Sequence, residues 1–434
     1  MSMLKHSISI AKIAVKAALL GGLVSCASYT GQTAAMREAY VKGDYDLALE
    51  SLKKSGMQGR SADRLLWRLE AATILDRKGE TEKSRKLWFE ADQIADELFT
   101  LSYSKTAASL IVNESSTDYD GEDYEKVAIH SMLAHQYIGE GKLDEARVEA
   151  RKINSKLAEI NQKYDKNSKN KYGEDAHARY ISALIYEARG EWDSAIIDYT
   201  KAKELYEGPF ATFISGTVPS GVLLGLHRCL TIRGRADRLR ELERQYRWAL
   251  SGSSPASWQS TGEIIVVHEL GRIAPKVTKE HFSTVGNQLV RFSFPALEPR
   301  PLVNAGTGVE VSSAGFIQAE NTAYLDVIAR DTLENHRTRL IAKQTARLLA
   351  KGQLTYQVQK NYGPLAGLAA NVLTSALETA DTRSWSTLPQ AFYVTRARVR
   401  PGEQTVVVKT NGKVNFAKKI NIKAGQIQIF RGWD

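Results

Sequence analysis

Two cysteines in 434 residues cannot staple a chain of this size, so an apolar core and not a disulfide framework must hold the fold. With 10 Pro and 31 Gly and no Gly-X-Y period, the chain is neither collagen-like nor a proline-rich linker. The eight histidines stand at 6, 130, 135, 177, 227, 268, 281 and 336, none as His-x-x-x-His or beside a cysteine cluster. No Gly-x-x-x-x-Gly-Lys-Ser/Thr, no Gly-x-Gly-x-x-Gly between a strand and a helix and no Gly-x-Ser-x-Gly occurs. A zinc signature, a phosphate-cradling loop and a nucleophile elbow are therefore missing, and neither a metal, nor a cofactor, nor catalysis is expected. The formal charge of +10 is spread along the chain without a dense basic block, which argues against nucleic acid as a partner. What is present is an ordinary globular composition, 43% apolar and 25% charged. At roughly 150 residues per domain, two or three domains are expected.

Residues 1–16 carry Lys5, Lys12 and Lys16 without an acid, and the apolar stretch Ala17-Ala-Leu-Leu-Gly-Gly-Leu-Val-Ser25 stops at Cys26. That reads as a secretory leader, since a transmembrane helix needs about 20 apolar residues. Leu23-Val-Ser-Cys26 resembles the bacterial lipobox, which makes residues 1–25 the signal peptide and Cys26 the lipidated residue. Loss of the three lysines lowers the formal charge to +7. At about 0.8 kcal/mol per buried CH₂, a triacylated cysteine is a lasting membrane anchor. Residue 27 is Ala and not Asp, which under the enteric sorting rule implies the periplasmic face of the outer membrane. Cys229 is left without a disulfide partner and is expected in the core.

One phrase recurs through the next two hundred residues: Gly43-Asp-Tyr-Asp-Leu-Ala48, Gly79-Glu-Thr-Glu-Lys-Ser84, Gly141-Lys-Leu-Asp-Glu-Ala146, Gly190-Glu-Trp-Asp-Ser-Ala195 and Gly234-Arg-Ala-Asp-Arg-Leu239. It resembles the tetratricopeptide repeat. The glycine closes one helix, the acid favours the positive end of the next, and the small residue lets the two pack closely. The glycines are 36, 62, 49 and 44 residues apart, against about 34 in a regular array, so insertions separate the units. One is the cationic run 163–171, a candidate contact for an anionic polymer; another, 207–221, is apolar and expected to pack as a loop. The repeat register places His135 and Ile138, then His177, Tyr180 and Glu187, then Arg228 on the concave side of the superhelix, where such folds hold peptides. These six are the expected partner contacts.

After Ser251-Gly-Ser-Ser-Pro255 the pattern becomes extended. The predicted fold is multidomain: an all-α TPR-like helical-repeat solenoid over 26–254, then a β-rich α+β domain over 255–434. Strands are expected at 263–268 and 289–294, helices over 323–359 and 364–379, and an antiparallel meander at 391–400, 404–410, 413–422 and 426–430, with Asn411-Gly412 as a type I′ turn. Glu122, Glu125, Glu145 and Glu149 read as a solvated helical face, and Ser51-Leu-Lys-Lys54 as an exposed helix. Asp381-Thr-Arg-Ser-Trp-Ser-Thr-Leu-Pro389 is the clearest polar-aromatic segment. Trp385 is expected to plug a seam there, with Asp381 and Arg383 forming either a structural joint or a ligand site.

Tyr119-Asp-Gly-Glu-Asp-Tyr-Glu-Lys126, Ala146-Arg-Val-Glu-Ala-Arg-Lys152 and the 381–389 segment, on a lipobox chain of this length, resemble a family of bacterial tetratricopeptide-repeat-like lipoproteins often encoded near lipoproteins similar to penicillin-binding-protein activators. His130-Ser-Met departs from the bulkier apolar run of that family. The resemblance implies an envelope protein acting in peptidoglycan synthase regulation or envelope assembly, and supplies no active site. The expected function is a scaffold whose groove captures a protein segment, with the second domain docking another partner or cell-wall polymer. The alternatives are an outer-membrane assembly or secretion accessory, and an envelope hydrolase with its site near Arg383.

Overall fold

A computed structural model describes residues 29–104, 117–163, 173–214, 216–285, 288–301, 304–334 and 380–434. Cys26 and the leader, the cationic run after Lys163 and the helices expected beyond residue 334 lie outside the described residues. Five helical hairpins carry the five glycine phrases: α1 (Ala34–Val41) with α2 (Tyr45–Lys54), α3 (Arg64–Lys78) with α4 (Thr81–Ser104), α5 (Asp123–Gly139) with α6 (Leu143–Lys163), α7 (Ala176–Ala188) with α8 (Trp192–Glu207), and α9 (Ser220–Ile232) with α10 (Ala236–Gln245).

The same turn joins each pair. Gly43, Gly79, Gly141, Gly190 and Gly234 have φ between 63° and 85°, where a Cβ costs about 1–2 kcal/mol. The residue after each glycine donates its N–H to the carbonyl five residues back, as Glu80 does to Leu75 and Lys142 to Tyr137, both at 2.9 Å. That bond satisfies a helix-terminal carbonyl which would otherwise be orphaned. Ala48, Ser84, Ala146 and Ala195 are fully buried where the paired helices meet, and Ser84 Oγ donates to the Ala72 carbonyl at 2.7 Å. Phe210 and Phe213 of the apolar insertion are buried too. Cys229 is a buried free thiol in α9, its pKa pushed up by burial.

The remainder is strand-rich. A four-stranded sheet has the order β10 (Ile427–Trp433), β1 (Gly262–Leu270), β7 (Ala391–Val399), β6 (Glu320–Tyr324); a second runs β5 (Gly315–Gln318), β4 (Gly308–Val311), β8 (Gly402–Thr410), β9 (Lys413–Ile422); β2 (Lys276–Val285) and β3 (Gln288–Leu297) form a hairpin of their own. A helix over 325–334 follows β6. β1 is buried along its whole length. Its alternate residues Ile264 and Val266 meet Val309, Val311, Val406 and Val408 of the second sheet, while Ile265 and Val267 join Phe392, Val394 and Ile429 in one continuous core with Leu133, Ile138, Ile181 and Leu184 of the hairpins. Three layers result: helical repeat, first sheet, second sheet.

The expected meander is corrected. Asn411 (φ 51°) and Gly412 (φ 77°) do turn β8 into β9, but β7 and β8 lie in different sheets, and β10 runs parallel to β1. Turn chemistry reports only on neighbouring strands, whereas a central strand with apolar residues on both faces is claimed by distant partners. The short strands β4, β5 and β6 carry too few residues to show a period.

His268 on β1 is wedged between the sheets, its Nδ1 3.0 Å from Thr410 Oγ1 and its Nε2 2.9 Å from Thr395 Oγ1. Burial pushes its pKa down to about 3, so the unfolded chain binds a proton that the folded one refuses. Its contribution is present in full above pH ~6.5 and declines by about 1.4 kcal/mol per pH unit below that. His268→Gln is expected to remove that slope from the pH dependence of urea unfolding between pH 6 and 4, and an unchanged slope would show that His268 titrates normally. Among the hairpin glycines, Gly141→Ala meets no neighbour and is expected to lose about 1–2 kcal/mol from backbone strain alone. A Cβ at Gly225 would collide with the Tyr199 ring and the Arg396 guanidinium, so Gly225→Ala is expected to show the larger fall in melting temperature.

Candidate functional site: the concave face of the helical repeat

The first helices α3, α5, α7 and α9 present polar side chains to the concave side, and the first sheet meets them there. At one end, Glu187 of α7 and Glu263 of β1 share Arg396 of β7. Its Nη2 lies 2.8 and 2.9 Å from the Glu187 oxygens and 2.7 Å from Glu263 Oε2, and its Nε lies 2.6 Å from Glu263 Oε1. Arg228 of α9 adds a 3.1 Å bond to Glu263 and a 2.6 Å bond to the Gly425 carbonyl, and the Tyr199 hydroxyl donates to Glu187 at 2.6 Å. Two guanidinia face two carboxylates, and the cluster is neutral. Burial opposes the charge on Arg396, but Glu187 and Glu263 raise its pKa well above the usual value.

A second neutral cluster lies further along the face. Arg431 of β10 bonds Asp76 of α3 at 2.6 and 3.1 Å and Glu269 of β1 at 2.8 and 3.0 Å. Arg77 bonds both acids, and His135 Nδ1 lies 2.9 Å from Glu269. Against the pull of burial, Arg431 and Arg77 drive the Glu269 pKa well below the carboxylate range. Burial lowers that of His135, although its bond to Glu269 pulls the other way. His177 stacks on Phe392 of β7 at 4.5 Å, bonds Thr322 of β6 at 2.8 Å, and is likewise held neutral by burial.

The third contact is the segment 381–389, gripped as a peptide would be. Glu70 of α3, fully buried, accepts from Ser386 N at 2.6 Å, Ser386 Oγ at 2.7 Å, Thr387 N at 3.1 Å and Thr387 Oγ1 at 2.6 Å. Glu125 of α5 accepts from Trp385 N at 2.9 Å and from the Tyr119 hydroxyl at 2.5 Å, and burial raises its pKa. The Trp385 indole donates to Thr73 Oγ1 at 2.9 Å, and its ring is fully buried. Arg383 pairs bidentately with Asp381 at 3.0 and 2.7 Å, reaches Asp63 at 3.3 Å, and donates to the carbonyls of Ala62 and Thr117. The segment is a structural joint.

The expectation of an open groove is therefore corrected. His135, Ile138, His177, Tyr180, Glu187 and Arg228 come together on one face, but none is more than 4% exposed, because the chain's own sheet occupies that face. The solvated reading of the glutamates is corrected as well. Glu125 and Glu149 are buried, Glu149 accepting from His130 at 2.9 Å, and Glu122 bonds Lys276 at 2.5 Å; only Glu145 is exposed. Sequence reasoning missed Glu70, Asp76, Arg77, Glu263, Glu269, Arg396 and Arg431. The signal for the last four was a charge on the inward side of an otherwise apolar strand, which demands a buried counter-charge. Among the described residues no group of three or more His, Cys, Asp and Glu side chains is placed to hold a metal ion, and no helix is long and apolar enough to cross a membrane.

No protein-family model matches the chain, and no curated protein sequence matches it. Solved structures similar to it are repeat proteins. They include TPR-like repeats of the kinesin light chain type from Podosopora anserina (17% identical, 51% of this chain and 93% of that one, TM-score 0.32), MamA AMB-1 (14%, 52% and 92%, TM-score 0.31) and a tetratricopeptide repeat protein of Parabacteroides merdae (18%, 51% and 65%, TM-score 0.32). The hairpins themselves, not these likenesses, carry the fold assignment.

Removing one member of a buried ion cluster strands its partners, at a cost of about 3–5 kcal/mol. Arg396→Met is expected to lose that much by urea unfolding, and Glu187→Gln in the same chain, which leaves Arg228 paired with Glu263, to restore part of it. A loss under about 1 kcal/mol, the size of an exposed pair, would show that the cluster does not hold the sheet.

Proposed function

We propose that the protein is a lipid-anchored periplasmic scaffold, held at the outer membrane through Cys26, whose partners are envelope proteins that dock on surfaces other than the concave face. The observation that carries this reading is the occupation of that face: the side chains that would read a peptide are engaged by β1, β7, β10 and residues 383–387. The leader and lipobox support the anchor. Apolar side chains remain outside: Val148 and Ile197, each seven residues after its hairpin glycine, are 50% and 67% exposed on successive second helices, and Trp248 is 60% exposed. The roles that fit are peptidoglycan synthase regulation and envelope assembly. The hydrolase reading finds no support at Arg383, whose guanidinium is engaged by two acids and two carbonyls.

Two measurements test it. Cys26→Ala is expected to move the protein from the membrane to the soluble periplasmic fraction, and unchanged fractionation would refute the anchor. A photoreactive residue placed in cells at Ile197 or Trp248 is expected to crosslink a peptidoglycan synthase or its lipoprotein activator. Crosslinks to outer-membrane barrels would replace regulation with assembly, and the lack of any protein adduct at either site would sink the scaffold reading.

A further inference from the structure

A cavity of about 250 Å³ is lined by Leu297, Pro299, Val327, Asp326, Arg300 and Arg330, with Ala274 and Gln390 at its back. Four separate segments build it: the turn after β1, the end of β3, the start of the 325–334 helix and the residue before β7. They are tied together from behind. Asp326 accepts from Ala274 N at 2.6 Å and Gln390 Nε2 at 2.7 Å, Gln390 Nε2 also reaches the Arg300 carbonyl at 3.1 Å, and Leu325 N donates to the Gln390 carbonyl at 2.8 Å. The walls are thus fixed by bonds that do not use the cavity side of the arginines.

The charges here are balanced differently from those of the two ion clusters and of the 381–389 joint. Arg77, Arg228, Arg383, Arg396 and Arg431 are each matched to a carboxylate within ion-pair distance. Arg300, half-buried, and Arg330, exposed, have no such partner among the described residues. Behind Arg300 stand two more guanidinia: Arg272, which donates to the Arg37 carbonyl at 3.3 Å, and Arg37, which is bonded to Thr33 and to the Thr30 carbonyl. Asp326 and Glu298 act on Arg300, Asp326 also faces Arg330 and Glu70 acts on Arg272, but among the described residues none of these acids lies within ion-pair distance of Arg300 or Arg330. Burial, with Arg300 and Arg37 beside it, pulls the Arg272 pKa down to about 10. Burial and Arg37 lower that of Arg300 as well.

We propose that this cavity binds a small amphiphile with one oxyanion head, phosphate or carboxylate, held by Arg300 and Arg330, and a short apolar body packed on Leu297, Pro299 and Val327. A planar guanidinium presents paired N–H donors to two oxygens of such a head, and the apolar walls offer nothing to a second charge. The volume sits just below the ~300 Å³ at which drug-sized sites begin, which suits a head and a short chain.

The test is calorimetric titration of the full-length protein with hexyl phosphate, hexanoate and inorganic phosphate. Both amphiphiles, or the one with the preferred head, are expected to bind at least about tenfold more tightly than inorganic phosphate. Arg300→Gln with Arg330→Gln is expected to weaken binding by about tenfold or more with a melting temperature changed by little, because among the described residues neither side chain makes an ion pair. Val327→Trp, which fills the apolar end, is expected to weaken hexyl phosphate and spare inorganic phosphate. The proposal is overturned if the amphiphiles bind no better than inorganic phosphate, if the double variant binds hexyl phosphate as the parent does, or if only phosphatidylglycerol vesicles bind, which would reduce the site to surface attraction.

Discussion

Glu263 and Glu269 stand six residues apart on the helix-facing side of β1, both buried and separated on that side by the apolar Ile265 and Val267. An isolated carboxylate there would cost several kcal/mol in desolvation, so each must be met from outside the strand. Arg396 and Arg228 meet the first; Arg77 and Arg431 meet the second. Those arginines come from two helices and two strands that are distant in sequence. The demand for neutrality at two points on β1 therefore fixes how β7, β10, α3 and α9 sit around it. Hydrophobic burial alone would accept many arrangements of apolar faces, whereas a misplaced guanidinium would leave two charges stranded.

The same principle explains how the helical repeat is used. A superhelix of hairpins offers a concave face with carboxylates and aromatic rings, suited to gripping extended backbone. Here Glu70 and Glu125 take the N–H groups and hydroxyls of residues 385–387, and Trp385 inserts between first helices. The repeat has captured a segment of its own chain, and the sheet that follows that segment fills the remainder of the face. Repeat and sheets consequently share one core, and opening the groove would mean breaking two buried ion clusters together with the apolar contacts of β1. The arginines around the 250 Å³ cavity differ from those of the clusters: among the described residues Arg300 and Arg330 have no carboxylate within ion-pair distance.

The helical hairpins were legible because they rest on local chemistry. A glycine forced into the left-handed region recurs five times in the sequence, four times with a small residue five positions after it, and each recurrence is a helix pair. The inner register was legible for the same reason, since 3.6-residue periodicity puts His135, His177, Tyr180 and Glu187 on one face. The occupant of that face was not. Nothing within five or ten residues of Glu263 names Arg396 as its partner, 133 positions away, and the turn after β9 does not announce that β10 will cross to lie parallel to β1. Even the glutamates of α5 and α6 were misread, because helical spacing alone does not tell a solvated carboxylate from one buried under a distant loop.

What the sequence determined by itself is the set of local decisions: where helices start and stop, which faces are apolar, that strands follow residue 260, that Asn411-Gly412 reverses the chain. These depend on backbone conformations and periodicities confined to a few residues. The tertiary structure alone decided that the groove is filled, that Arg383 is a joint, and that Arg300 and Arg330 make no ion pair among the described residues. Each of those is a balance of charges gathered from separate segments, as Arg396 and Glu263 are brought together from 133 positions apart, and such a balance exists only once the chain has folded.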